Sequence, residues 1–295
     1  MLRCVAEPLP GPVADALAFP VPAETATVEA AHIPFFVRSW GAAGAAPLLL
    51  LHGVLSSSLG WWRVGPALAA AGFHVRAPDM PGHGRTGSWQ GHWRIRDNAL
   101  DLVALAVALH IPRPELRLVG HSWGAVTAAA FPAVGLAPAK LVVIDPPVQA
   151  VAGMAAMTRD PIERRYDAAG EALAAVGAAN PTWAFGDVAA KAEALTQIDA
   201  SAVGEVLLRN GDWDGGFADL AGPPAATVER WLIRGDPSAG GLIPDDAAAR
   251  FASLLGDDRV TMIPRAPHSP HRTHAADTVE AILRALGEGS TADAW

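Results

Sequence analysis

Leu116-Arg117-Leu118-Val119-Gly120-His121-Ser122-Trp123-Gly124-Ala125 is the stretch that decides the fold. Leu116 to Val119 reads as a short buried strand, and helical text from Ala125 to Val134 follows with almost no loop between them. Ser122 therefore sits on a turn tight enough to send a strand straight into a helix. Side chains two residues either side of it would strike neighbouring backbone, and Gly120 and Gly124 remove both collisions. A hydroxyl on such a turn projects from the carboxyl edge of a sheet. The first N–H groups of the following helix then face any anion that develops beside it. This glycine-x-serine-x-glycine spacing is the pattern of a nucleophile elbow.

The text on both sides agrees with that reading. Leu48 to Leu51 is a continuous apolar run ending in His52-Gly53, as expected of a strand buried on both faces of a parallel sheet. Trp61 to Ala71 reads as a helix stopped by Gly72, Phe73 to Ala77 as a strand ending at Pro78-Asp79, Asp97 to Leu109 as a helix, and Leu141 to Ile144 as a strand. Thr25 to Trp40 reads as an antiparallel hairpin broken near Ala31 and His32. Alternating strands and helices specify an α/β fold: a mostly parallel central sheet with helices on both faces. The alternation lapses from Pro146 to about Pro224, where alanine-rich text predicts an inserted helical cap. It resumes with a strand at Trp231 to Arg234, a loop from Gly235 to Pro244, a helix from Asp245 to Leu255, a strand from Arg259 to Ile263 and a helix from Ala275 to Leu286. The expected organisation is an N-terminal extension over residues 1–23, lying on the surface or partly disordered, a core formed by 24–145 and 225–295, and a cap over 146–224.

Composition narrows the function classes. The chain has 295 residues, 51% of them hydrophobic, and 22 Lys+Arg against 30 Asp+Glu give a formal charge of −8. That sign argues against a nucleic-acid partner. Cys4 is the one cysteine, so an internal disulfide framework and multi-cysteine metal sites are excluded, and it is read as a bystander thiol. Apolar runs are too short to cross a bilayer, and Pro8, Pro10 and Pro12 interrupt the N-terminal text where a signal peptide would be apolar. A protein of the cytoplasm without nucleic-acid or membrane partners is the expectation.

Four motifs together carry a resemblance: Leu51-His52-Gly53 after an early strand, Asp79-Met80-Pro81-Gly82-His83-Gly84 after the next, the elbow at Ser122, and Pro267-His268 near the end. With them the chain resembles the α/β-hydrolase fold superfamily over nearly everything from Thr25 to Leu286, in the manner of a capped serine esterase or lactonase. The resemblance implies Ser122 as nucleophile and His268 as general base, although the glycine usual before that histidine is here Pro267. It implies an oxyanion hole from the backbone N–H groups of Val54, with Gly53 and Leu55 as neighbouring alternatives, and of Trp123. It makes His52 a loop-shaping residue and His121 part of the elbow's packing. His271 and His274 are expected in helix-capping or surface roles, and no metal or cofactor is implied.

The acid has two candidates. In most relatives it follows the strand after the cap, where this chain has Gly235-Asp236-Pro237-Ser238 and offers Asp236, displaced from the usual slot at Ser238. Some lipases, lactonases and dehalogenases of the fold instead take it from the strand after the nucleophile, where this chain has Ile144-Asp145-Pro146. Asp145 is favoured, with the other aspartate capping a loop or helix.

The expected chemistry is hydrolysis of a small hydrophobic ester or lactone through an acyl-enzyme. Gly53 and Leu55 on the oxyanion loop, Trp61 beside it, and Trp183 and Trp213 in the cap are the candidate substrate-binding residues, the tryptophans as lining of an apolar pocket. Carbon–carbon bond hydrolysis, cofactor-free perhydrolysis and a proline-iminopeptidase-like amidase reaction use the same triad and are the alternatives. A non-catalytic ligand binder is the alternative from another class. Epoxide hydrolases and haloalkane dehalogenases of the superfamily carry Asp at the elbow, where this chain has Ser122.

Overall fold

The computed structural model describes residues 8–87, 93–225 and 227–287; Cys4 and His92 lie outside them. Its strands are β1 (Glu24–Ala30), β2 (Ile33–Trp40), β3 (Ala46–Leu51), β4 (Phe73–Pro78), β5 (Arg117–His121), β6 (Lys140–Ile144), β7 (Val148–Gln149), β8 (Trp213–Asp214), β9 (Glu229–Arg234) and β10 (Val260–Met262). The helices are α1 (Gly11–Ala18), α2 (Val64–Ala70), α3 (Ile95–Ala108), α4 (Trp123–Ala129), α5 (Val151–Met157), α6 (Ala169–Ala179), α7 (Phe185–Gln197), α8 (Ala200–Leu208), α9 (Phe217–Ala221), α10 (Asp245–Leu255), α11 (Pro270–Thr273) and α12 (Ala275–Leu286).

Eight strands form one sheet in the order β1-β2-β4-β3-β5-β6-β9-β10. Pairing is parallel from β4 to β10, and β1 and β2 add an antiparallel edge. Ala31 and His32, at φ +49° and +62°, form the two-residue turn between them, the left-handed pair that matches hairpin twist. The leucine run of β3 shows why an unbroken apolar strand is needed. Leu49 and Leu51 pack into a core shared with α3, α4 and the cap, while Leu48 and Leu50 pack into a second core shared with α2 and α12. Each leucine so buried stabilises the fold by about 2 kcal/mol.

Strand order also places the site. From β3 the chain first moves to β4 on one side, and β5 then pairs on the other side of β3. The carboxyl ends of β3 and β5 therefore flank a switch point, where open α/β sheets leave a crevice. His52 to Leu55 leave one strand there and Ser122 leaves the other.

Between β6 and β9 the chain leaves the sheet as α5 to α9, and the β7–β8 ribbon pairs the two ends of this excursion. It is fastened to the core where the Asp199 N–H donates to the Gly82 carbonyl at 2.8 Å.

Three local expectations need correction. The text before Glu24 contains α1, whose Val13 is buried in the α2–α12 core; prolines read as breakers stand at the start of this helix, where no N–H is required. The helix after the elbow begins at Trp123 and ends at Ala129, and a 3₁₀ turn over Pro132–Val134 replaces its last turns because Pro132 has no N–H to continue the ladder. The helix expected from Trp61 is a 3₁₀ turn (Ser58–Trp61) followed by α2.

Candidate active site

Ser122 joins β5 to α4 at φ +56° and ψ −121°, a sparsely populated backbone that costs a residue with a side chain about 1–3 kcal/mol. The flanking glycines make the turn possible. A Cβ on Gly120 would lie 2.2 Å from the Gly124 carbonyl oxygen, and one on Gly124 would lie 2.4 Å from that of Leu51.

Asp145, directly after β6, is also left-handed at φ +43°. It is fully buried. One carboxylate oxygen accepts the Gly235 N–H at 3.0 Å, and the other accepts the Leu242 N–H at 2.9 Å and the His268 Nδ1–H at 2.8 Å. These three donors replace the water lost on burial and fix the carboxylate's plane. On the far side of the ring, His268 Nε2 lies 3.0 Å from Ser122 Oγ. With Nδ1 protonated, Nε2 is the acceptor that faces the hydroxyl. Elements from three separate parts of the chain thus bring Ser122, His268 and Asp145 into one hydrogen-bonded line.

Asp236 does not join them. Its exposed carboxylate accepts the Ser238 N–H and the Arg265 N–H, both at 2.9 Å, and the Ser238 hydroxyl at 2.6 Å. Those bonds hold its carboxyl below the usual carboxylate range, and they tie the β9 loop to the β10 loop.

Sequence reasoning missed what locks the histidine loop. The His121 Nε2–H donates to the His268 carbonyl at 2.8 Å, and the two rings lie 4.8 Å apart. His271, expected on a helix cap or at the surface, is instead buried between Trp61 and His121, with ring centroids 4.8 and 4.5 Å away. α11, a single turn absent from the sequence reading, carries it inward. Burial holds both His121 and His271 well below the ordinary imidazole range.

The loop after β3 lies against the nucleophile. A Cβ on Gly53 would come 2.9 Å from that of Ser122. The His52 ring sets the loop's course: its Nδ1–H donates to the Gly53 carbonyl and its Nε2 accepts the Met80 N–H, each at 2.8 Å. Burial pushes its pKa down to about 4, and that of buried His83, 5.5 Å away, to about 3. Leu55 is left-handed at φ +62° and half-buried Val54 precedes it. Asp79, a turn residue in the sequence reading, accepts the Ser58 N–H at 2.7 Å and the Arg85 N–H at 2.8 Å, and so ties this loop to the one after β4. Trp123 is the first residue of α4, so its N–H has no acceptor within the helix.

A charged seam joins the cap to this loop. Asp187 and Lys191, one turn apart on α7, are both buried. Asp187 pairs with Arg63 and accepts the Trp62 Nε1–H at 3.0 Å. Lys191 pairs with Glu163 and donates to the Leu55 carbonyl at 2.9 Å. Buried Arg272 donates to the Asp187 carbonyl and the Ser56 hydroxyl, each at 3.1 Å. The sequence did offer a sign of this seam: acid and base four apart within the apolar stripe of one helix. Arg272 gave none.

The three tryptophans divide differently from expectation. Trp61 is 1% exposed in the α2–α12 core, so it packs the fold and does not line an open pocket. Trp213 is 4% exposed in β8. It borders a cavity of about 190 Å³ with Ile95, Val126 and Asn210, a lining that includes none of the three triad residues. Trp183 is half-buried beneath the Arg272 guanidinium, 5.0 Å from the ring. Trp213 packs in the core shared with the cap, whose alanine-rich helices have little else of that bulk to fill it.

Comparison with known proteins agrees with the architecture. A family model described as the alpha/beta hydrolase fold matches residues 46–203. Epoxide hydrolase A of Mycobacterium tuberculosis is 38% identical over 88 residues, which is 29% of this chain and 27% of that protein. Lipase LipV of the same organism is 33% identical over 117 residues, 39% of this chain and 43% of the lipase. These matches span less than half the length of either relative. Among solved structures, E-2-(acetamidomethylene)succinate hydrolase superposes with a TM-score of 0.74 at 22% identity, covering 90% of this chain and 99% of that one; this likeness is one of fold.

Proposed function

The chain belongs to the α/β-hydrolase fold family, and from that premise we propose that it is a serine hydrolase cleaving a small hydrophobic carboxylic ester or lactone through an acyl-enzyme. The observation that carries this reading is the imidazole of His268, which bridges Ser122 Oγ at 3.0 Å and the Asp145 carboxylate at 2.8 Å.

The steps follow from those positions. The Ser122 hydroxyl gives its proton to His268 Nε2 as Oγ bonds to the substrate's carbonyl carbon. The carbonyl oxygen becomes an alkoxide, which the N–H groups of Val54 and Trp123 receive; each such donor contributes about 3 kcal/mol in a comparable site. Asp145 remains ionised, holds the ring by Nδ1–H and stabilises the imidazolium. Collapse breaks the bond to the leaving oxygen, which takes the proton from Nε2. Water repeats the sequence on the acyl-serine, giving up a proton to Nε2, and releases the acid and free Ser122.

Serine at the elbow favours this over the epoxide hydrolysis named for one relative, since the resemblance puts Asp at that position in epoxide hydrolases. The name of the LipV relative favours esters. Ser122 is 5% exposed and half-buried Val54 lies on the loop beside it, which favours a substrate of modest size and apolar acyl group. The test is mass spectrometry after exposure to a fluorophosphonate, with aryl esters and lactones as competitors. Label on the peptide containing Ser122, with slower labelling in their presence, is expected; a chain left unlabelled contradicts the proposal.

A further inference from the structure

We propose that Lys191 is a positioning residue of this hydrolase, reaching from the cap to clasp the Leu55 carbonyl and thereby hold the oxyanion loop in its working shape. The inference rests on the serine-hydrolase reading above and adds a dependence of the reaction on the cap.

Lys191 is one of only two lysines, against 20 arginines, in the chain. It lies on the buried face of α7, 7% exposed. A lysine seldom goes there without a specific partner, because its ammonium must leave water. One partner, Glu163, is an acid with a third of its side chain exposed, and an ion pair of that kind could form at the cap's surface. The other is the main-chain carbonyl of Leu55, at 2.9 Å. That bond requires the ammonium to be inside.

What the bond holds is strained. Leu55 is left-handed at φ +62° and 2% exposed, and such a conformation persists in a side-chain-bearing residue only where its surroundings determine it. The loop before and after Leu55 is fastened within the core: His52 to Gly53 and Met80, and Ser58 to Asp79. At Leu55 itself the tie comes from the cap. It fixes the peptide that follows Leu55, and through the left-handed φ it fixes the plane of the peptide that precedes it. That preceding peptide joins Val54 to Leu55 and carries the Leu55 N–H, one residue on from the Val54 N–H that receives the alkoxide, so holding it steadies Val54 from its carbonyl side. With α7 withdrawn, the buried Leu55 carbonyl loses its partner, and the loop keeps only its ties at His52, at Ser58 and from Arg272 to the Ser56 hydroxyl. Closure of the cap and assembly of the oxyanion hole are then one event.

The test compares Lys191→Met with Glu163→Gln in the full chain, using a p-nitrophenyl ester and a fluorophosphonate, with melting temperature as the control for folding. A clasp makes the two unlike. Lys191→Met is expected to lower kcat by at least about 30-fold with KM within about threefold, and to slow phosphonylation of Ser122 in parallel, since misplaced donors affect the transition state. Glu163→Gln, which leaves the Leu55 bond in place, is expected to stay within about threefold of the wild type. Lys191→Gln, too short to reach Leu55, is read by the same criteria if the methionine variant does not fold. Equal losses in the Lys191 and Glu163 variants would make the lysine half of a structural ion pair and overturn the clasp, as would a Lys191 variant of undiminished kcat. A wild type that takes no label at Ser122 overturns the hydrolase reading itself, and the clasp with it.

Discussion

The ends of β6 and β9 are neighbours in the sheet, and each carries an aspartate that the sequence offers for the same task. Asp145 is dry and left-handed, with each carboxylate oxygen taken by a donor from another loop. Asp236 is wet, and its carboxylate serves a turn two residues long and the loop beside it. An acid that orients a catalytic ring must lose its water and keep its charge, which only a set of fixed donors allows. Position after a strand is shared by both residues; the donors are not.

The sharpest way to break this comparison is to neutralise each acid in turn. Asp145→Asn, measured by kcat on an aryl ester, is expected to lose about four powers of ten, equivalent to about 5 kcal/mol, because the amide no longer fixes the ring's tautomer. A loss below tenfold would remove Asp145 from the mechanism.

Acid should separate dry from wet next. His52 and His83 are held neutral, lowered from 6.5 to about 4 and about 3. Unfolded, both would take up protons below pH 6.5 that the folded chain refuses. Their stabilising contribution is therefore complete above that pH and declines as pH falls toward 4, by about 1.4 kcal/mol per pH unit for each ring. Calorimetry at pH 7.5 and 5 should show the melting temperature dropping steeply; no change between them would mean these rings are hydrated.

A smaller effect tests the donors around Asp145. A Cβ on Gly235 would lie 2.9 Å from the carbonyl oxygens of both Ala266 and Pro267. Gly235→Ala should therefore push the histidine loop away from the loop that holds the carboxylate, and cost roughly 10²-fold in kcat. Unchanged turnover would show that the two loops move freely. Smallest of all is Asp236→Asn, expected to leave kcat within about twofold; a large loss there would reverse the assignment.

The same contrast explains what could be read without coordinates. Ser122 and its two glycines were legible because steric demands at the turn leave a mark in the residues beside it, and His268 because the resemblance places a histidine between the last strand and the last helix. The sheet was legible because leucine runs such as Leu48 to Leu51 have few other uses. The choice between Asp145 and Asp236 stayed open since the deciding donors, Gly235 and Leu242, are backbone groups from distant sequence. The parts played by Trp61 and Trp213 stayed open for a related reason: a tryptophan that packs and one that grips a ligand look alike until its neighbours are known. Lys191 and Arg272 went unnoticed because their partners are mostly carbonyls and a hydroxyl, which any sequence supplies.

The central claim is a covalent bond between substrate and Ser122, and rapid mixing with a p-nitrophenyl ester tests it most directly. The account predicts a burst of about one p-nitrophenol per chain and, on quenching in acid, an acyl group on the peptide that contains Ser122. Turnover without a burst and without that adduct, or an adduct on another residue, would contradict it.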